Sequence, residues 1–357
     1  MPINTAPLFQ PVKLGNLTLA NRFIMAPLTR CRAIDHLPNA LMAEYYTQRA
    51  SAGLIITECT MVTPQTSAFG NDPGIYSPEQ IEGWKATTKG VHQSGGKIYM
   101  QIWHAGRAAH PLFNDHKPAV SASAIAIDDE TYTPAGKKPY SIPHPLTKTE
   151  IAEIVEDFRQ AGINAIAAGF DGVEIHAANG YLIDQFLRDG ANQRTDEYGG
   201  SLENRARFLS EIIAAVSGAI GSDRVGVRLS PLNSFNGMQD SDPVAWMTYL
   251  AQHLNQFNLA YLHVMRADFF GVQQADVIPI ARKHYQGHLM VNMGYSADEA
   301  AEVIKNDMAD SVAFGTGFLA NPDLPERIKA GAELNAPDSD TFYTPDEKGY
   351  TDYPFMD

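Results

Sequence analysis

Eight short apolar runs recur along the chain, at residues 23–25, 53–57, 97–103, 172–176, 224–229, 260–264, 288–292 and 311–315. Amphipathic windows of helical period separate them, clearest at 43–51, 77–94, 149–168, 201–220 and 296–307. The windows at Ser77, Thr149, Ser201 and Ser296 open on a hydroxyl residue with acidic residues in or near the first turn, which suits the orphan amides and dipole of a helix start. Strand and helix alternating eight times predict an α/β fold, a (β/α)8 barrel occupying 1–357 as one domain. An open doubly wound sheet would want a Gly-rich turn after its first strand, but Ala26-Pro27-Leu28-Thr29 stands there. Ahead of the repeat, residues 8–20 read as two short strands turned at Gly15-Asn16, suited to plugging the closed end of a barrel. One Pro- and Gly-rich excursion, 107–147, leaves the third strand at the end where barrels keep their chemistry, and is expected to be a lid or pocket wall.

A chain of 357 residues that is 44% hydrophobic can bury a large core, and a formal charge of -14 disfavours a nucleic-acid partner. An anionic cofactor would need local donors to hold it against that field. The two cysteines, Cys31 and Cys59, are too few for a disulfide framework or an iron-sulfur site. No apolar run reaches membrane-span length and the first residues lack a signal-peptide layout, so a cytoplasmic protein with no membrane partner is expected. No close carboxylate and histidine set suggests a metal.

The stretch 172–188 carries the strongest chemical signal. Val173 to Ile175 is an apolar strand delivering His176 at its carboxyl end, and Asn179 and Tyr181 follow within five positions. A lone histidine there would read as a satisfied core residue. Three polar side chains together at the reactive end of a barrel strand point to a site.

These residues sit in motifs that resemble a known family. His176-x-x-Asn179-x-Tyr181, Met25-Ala-Pro-Leu-Thr-Arg30, Gln101-Ile-Trp-His-Ala-Gly-Arg107, the run from Arg194 to Arg205 and Phe318-Leu-Ala-Asn-Pro-Asp-Leu324 resemble the Old Yellow Enzyme family of FMN-dependent ene-reductases, nearest its bacterial N-ethylmaleimide, pentaerythritol tetranitrate and morphinone reductases. The resemblance implies FMN reduced by NADPH or NADH, and a small alkene or nitro compound as substrate. It places Thr29 by the flavin O4, with Pro27, Leu28 and Cys59 nearby, and Gln101 and Arg228 on the pyrimidine edge. His176 and Asn179 become donors to the substrate oxygen and Tyr181 the proton donor. Tyr76, Trp103, Phe269 and Tyr343 fall where relatives place pocket aromatics. Arg228 also has its own argument: a buried guanidinium at a strand end demands an anion, and reduced flavin is one, the alternative being a salt bridge to Glu174 or Glu58. Cys59, with no basic neighbour in sequence, reads as packing rather than as a redox sensor.

Phosphate sites of this fold follow strands seven and eight, here Asn292-Met-Gly-Tyr295 and Phe314-Gly-Thr-Gly-Phe318, where Gly294, Gly315 and Gly317 let amides approach an oxyanion. The family usually has Arg where this chain has Thr316, so a phosphate cation is missing. A dienoyl-CoA reductase of the iron-sulfur type needs a cysteine cluster, and a Schiff-base lyase needs a lysine ending a strand. Neither is present. A monomer or homodimer is expected.

Overall fold

The computed structural model describes residues 5–356. The barrel of its central sheet consists of β1 (Phe23–Met25), β2 (Leu54–Ile56), β3 (Ile98–Trp103), β4 (Gly172–Ala177), β5 (Val225–Leu229), β6 (Tyr261–Met265), β7 (Leu289–Asn292) and β8 (Ser311–Phe314), and a ninth short strand, Thr60–Met61, pairs with the end of β3. Neighbours pair in parallel around the whole ring, including β8 with β1 and β3 with β4, so the sheet closes. This is the expected eight-stranded barrel. Every residue of these strands is buried, which is why they read as mainly apolar runs rather than as alternating ones, interrupted by Gln101, Glu174, His176, Arg228 and His263. No helix among the described residues is long and apolar enough to cross a membrane, and none of their His, Cys, Asp and Glu side chains form a metal-holding cluster.

Helices α1 (Ala40–Gln48), α2 (Pro78–Gln93), α3 (Lys148–Ala167), α4 (Leu182–Leu187), α5 (Leu202–Ile220), α6 (Pro243–His253), α7 (Ile278–His284) and α8 (Ala297–Lys305) surround it, with two short helices, α9 (Thr316–Ala320) and α10 (Leu324–Ala330), after β8. Ser77 and Ser296 form capping boxes with Gln80 and Glu299, and Ser201 caps α5 through the Asn204 amide. The cap of α3 is Thr147 rather than Thr149, because Thr147 exchanges hydrogen bonds with Glu150 three positions on, a pairing Thr149 cannot make with Ala152.

The ring has two ends of different character. Val12–Leu14 and Leu17–Leu19 form an antiparallel hairpin whose Leu14 and Leu19 pack with Ile24, Leu54, Tyr99, Tyr261 and Met290 inside the barrel. Its turn reaches Asp223 and Ala260, just ahead of β5 and β6, so the hairpin covers the amino-terminal end as its sequence suggests. Gly226 is required there, since a Cβ would run into the Tyr261 ring. The 107–147 excursion is more ordered than its composition implies. Glu130–Thr133 pairs with Gly136–Pro139, a hairpin whose mostly exposed side chains leave no apolar alternation to read. At the foot of the excursion Val120–Ser121 pairs with His144–Pro145.

Candidate functional site

At the opposite end, barrel-facing positions turn polar. His176 pairs in register with Arg228, and Glu174, two positions earlier on the same face, pairs with Gln101. Gln101 Nε2 donates to Glu174 Oε1 at 2.8 Å, and His263 Nδ1 donates to Glu174 Oε2 at 2.8 Å. Burial opposes the charge on Glu174, but His263, Arg228 and Gln101 outweigh it and hold the carboxyl below its usual range. Glu174 is therefore ionised. It nevertheless makes no ion pair with Arg228, so the salt bridge considered from sequence is absent among the described residues.

Arg228 is only 6% exposed, and none of its guanidinium nitrogens has a hydrogen-bond partner among the described residues. It lines a cleft of about 630 Å³ together with Ala26, Pro27, Leu28, Phe269, Asn292, Gly294, Gly315, Thr316 and Gly317. Of the expected ring contacts, Pro27, Leu28 and Arg228 share this cavity with the expected phosphate loops, while Thr29, Cys59 and Gln101 are not among its lining residues. A buried guanidinium and glycine-containing loops lining one cavity suit an anionic group such as a flavin nucleotide.

Beside Arg228 lies a chain of aromatic contacts. The rings of His176 and Tyr181 meet edge to face with centroids 5.0 Å apart, and Tyr181 meets Trp103 at 5.1 Å. Trp103 neighbours Phe69 at 6.3 Å, and Phe69 stacks on Tyr343 at 6.4 Å. Tyr76, Tyr140 and Cys59 pack into the same cluster, while Phe269 stands across the mouth against Phe235. Burial, reinforced by Arg228, pushes the His176 imidazole well below its usual range, so it is neutral at pH 7 and has one N–H to donate. Burial pushes the Tyr181 phenol well up, so it keeps its proton.

Thr29 Oγ1 lies 3.2 Å from Cys59 Sγ, and burial raises that thiol well above its ordinary value. An un-ionised Cys59 agrees with packing. The Arg194 to Arg207 run is salt-bridged, Arg194 to Asp196 and Arg205 to Asp240, each at 2.6 Å.

Two features were not anticipated, and a third was visible only in part. Asn233 donates to the Asn179 side chain. Arg266, which does not line the cleft, donates to the carbonyls of Met293 and Gly294, both at 2.8 Å. Because a trans peptide points its N–H opposite its carbonyl, the amides of Gly294 and Tyr295 are turned away from Arg266. Glu174 and His263 as supports for Gln101 were partly visible, since a charge inside an apolar strand must find buried partners.

Residues 7–335 match the NADH:flavin oxidoreductase / NADH oxidase family. A probable flavin mononucleotide-dependent alkene reductase of Leishmania infantum is 50% identical over 357 residues, covering 98% of this chain and 97% of the relative. Putative 12-oxophytodienoate reductase 2 of Oryza sativa subsp. japonica is 44% identical, covering 98% and 94%. Among solved structures, the old yellow enzyme from Trypanosoma cruzi superposes with a TM-score of 0.97 at 41% identity, covering 99% of this chain and 100% of that one. Morphinone reductase superposes at 0.95 with 44% identity, covering 100% and 98%.

Proposed function

Because this chain belongs to the NADH:flavin oxidoreductase / NADH oxidase family, among its Old Yellow Enzyme members, we propose that it uses FMN and NADPH or NADH to reduce alkenes conjugated to a carbonyl or nitro group. The observation that carries this reading is Arg228, a buried cation with no hydrogen-bond partner among the described residues, which lines the glycine-containing cleft and is the register partner of His176.

FMN, when bound, supplies two-electron chemistry, taking hydride from the nicotinamide and passing hydride to the alkene β-carbon. Arg228 and Gln101 would hold the pyrimidine edge, where Arg228 would balance the negative charge that reduction brings. Thr29, with Pro27, Leu28 and Cys59, would hold the carbonyl edge of the ring. Gly294, Gly315, Thr316 and Gly317 would hold the phosphate. His176 and Asn179 donate to the substrate's carbonyl or nitro oxygen, where charge accumulates in the transition state, so donors fixed beforehand lower the barrier. Tyr181 transfers its proton to the α-carbon, completing addition of hydride and proton across the double bond, and the phenol regains a proton from solvent. Tyr76, Trp103, Phe269 and Tyr343 shape the pocket. Maleimides, nitroalkenes, nitrate esters and nitroaromatics share the polarised oxygen that this donor pair would recognise.

The test is spectroscopic. Purified protein should carry an FMN-type absorption that bleaches under NADPH or NADH without oxygen and returns on adding N-ethylmaleimide or cyclohexenone. A colourless protein that takes up no FMN would overturn the reading.

A further inference from the structure

An amide side chain can present either a donor or an acceptor, depending on which end faces the ligand. Asn179 is held in a left-handed conformation, φ 57°, by the loop after β5. Its amide nitrogen donates to Ser230 Oγ at 2.7 Å and its carbonyl accepts from Asn236 Nδ2 at 2.9 Å. Its side-chain Oδ1 accepts from Asn233 Nδ2 at 2.8 Å, and its Nδ2 has no partner among the described residues. Asn233 is completely buried and has no freedom of its own. Its Oδ1 accepts the Phe269 amide at 3.3 Å, its backbone N–H donates to Ser230 O and its carbonyl accepts from Arg188. With its oxygen engaged by N–H groups, Asn233 can offer Asn179 only a donor.

We propose that Asn233 is a positioning residue that locks the Asn179 carboxamide with Oδ1 inward and Nδ2 toward the substrate, making Asn179 a fixed donor and coupling it to the Phe269 loop. The coupling has a second strand, since Ser234 donates to Asp268, which also accepts the amides of Phe270 and Val272. Movement of the loop bearing Phe269 is thereby transmitted through one buried amide to the donor. The inference rests on Asn179 being a substrate donor, as proposed above.

The experiment is a double-mutant cycle on the FMN-loaded protein, with para-chlorophenol as probe and its long-wavelength charge-transfer band as readout. Asn233→Asp replaces the inward donor by an acceptor, so Asn179 should rotate and turn Oδ1 toward the phenolate. Phenol affinity should fall about tenfold or more, the scale of a lost hydrogen bond to a charged group, while Asn233→Ala should cost less. In an Asn179→Ala background neither substitution should weaken binding further. Equal losses in both backgrounds would show general damage to the loop and overturn the proposal, as would an undiminished affinity in Asn233→Asp. Should the buried carboxylate prevent folding, the Asn233→Ala cycle decides by the same criterion. If Asn179→Ala itself leaves the band unchanged, the donor assignment fails rather than the positioning alone.

Discussion

Arg228 and His176 are register partners on adjacent barrel strands, and neither side chain hydrogen-bonds to any described residue. A permanent cation and a neutral imidazole, both buried and both unsatisfied, mark the place where the protein leaves bonds for something else to make. Burial, and after it Arg228, keeps His176 neutral, since a second positive charge so close is unfavourable.

Replacing Arg228 by Met should therefore make FMN harder to reduce. A lost charge interaction worth about 2 kcal/mol would lower the two-electron midpoint potential by on the order of 50 mV, at about 30 mV per 1.4 kcal/mol. Arg228→Lys should retain most of the potential. Titration against a reference dye measures both, and an unchanged potential in Arg228→Met would remove Arg228 from the ring edge.

His176→Ala should fade the phenol charge-transfer band and slow alkene reduction without loss of FMN. Because the imidazole titrates well below its ordinary range, wild-type KM for cyclohexenone should stay flat from about pH 5.5 to 8. A KM that falls as pH drops through the ordinary histidine range would mean that the imidazolium binds the substrate.

Stability should carry a signature of Glu58. Burial raises this carboxyl from 4.5 to about 7, although it accepts from the Arg30 amide and Tyr46. Between those values the folded state binds the proton and the unfolded state has released it, so stability declines as pH rises from about 4.5 to about 7 and levels off above. The loss is on the order of 3 kcal/mol. Glu58→Gln should thus raise Tm at pH 8 by several degrees and leave it nearly unchanged at pH 4.5. Equal shifts at the two values would contradict the account.

The barrel was legible because each strand is buried on both faces and survives as a compact apolar run, and because Ser77, Ser201 and Ser296 mark helix starts. His176, Asn179 and Tyr181 stood out since they share one short segment. Asn233 did not, for its role depends on a contact 54 positions away and its neighbours Pro231 and Leu232 look like ordinary loop. Arg266 was invisible for the same reason: its partners, the carbonyls of Met293 and Gly294, have no sequence identity to recognise.

Thr316 is exposed at the cleft, and among the described residues that line it the one arginine is Arg228. Thr316→Arg should tighten FMN by about 1.5 to 3 kcal/mol through a charge-assisted bond to phosphate, seen as slower FMN release with turnover little altered. Fluorescence titration at two salt concentrations checks it. No gain in affinity would mean that the loop amides braced by Arg266 already satisfy the phosphate.

Tyr181→Phe tests the central claim most directly, because it removes the acidic hydroxyl and keeps the ring. In anaerobic stopped flow, FMN reduction by NADPH should be nearly unchanged, while reoxidation by cyclohexenone should slow by about a hundredfold or more, the scale of general acid catalysis. Nitroalkenes, whose reduced products solvent can protonate, should suffer less. Equal slowing of both half-reactions, or no slowing of the second, would contradict Tyr181 as the proton donor.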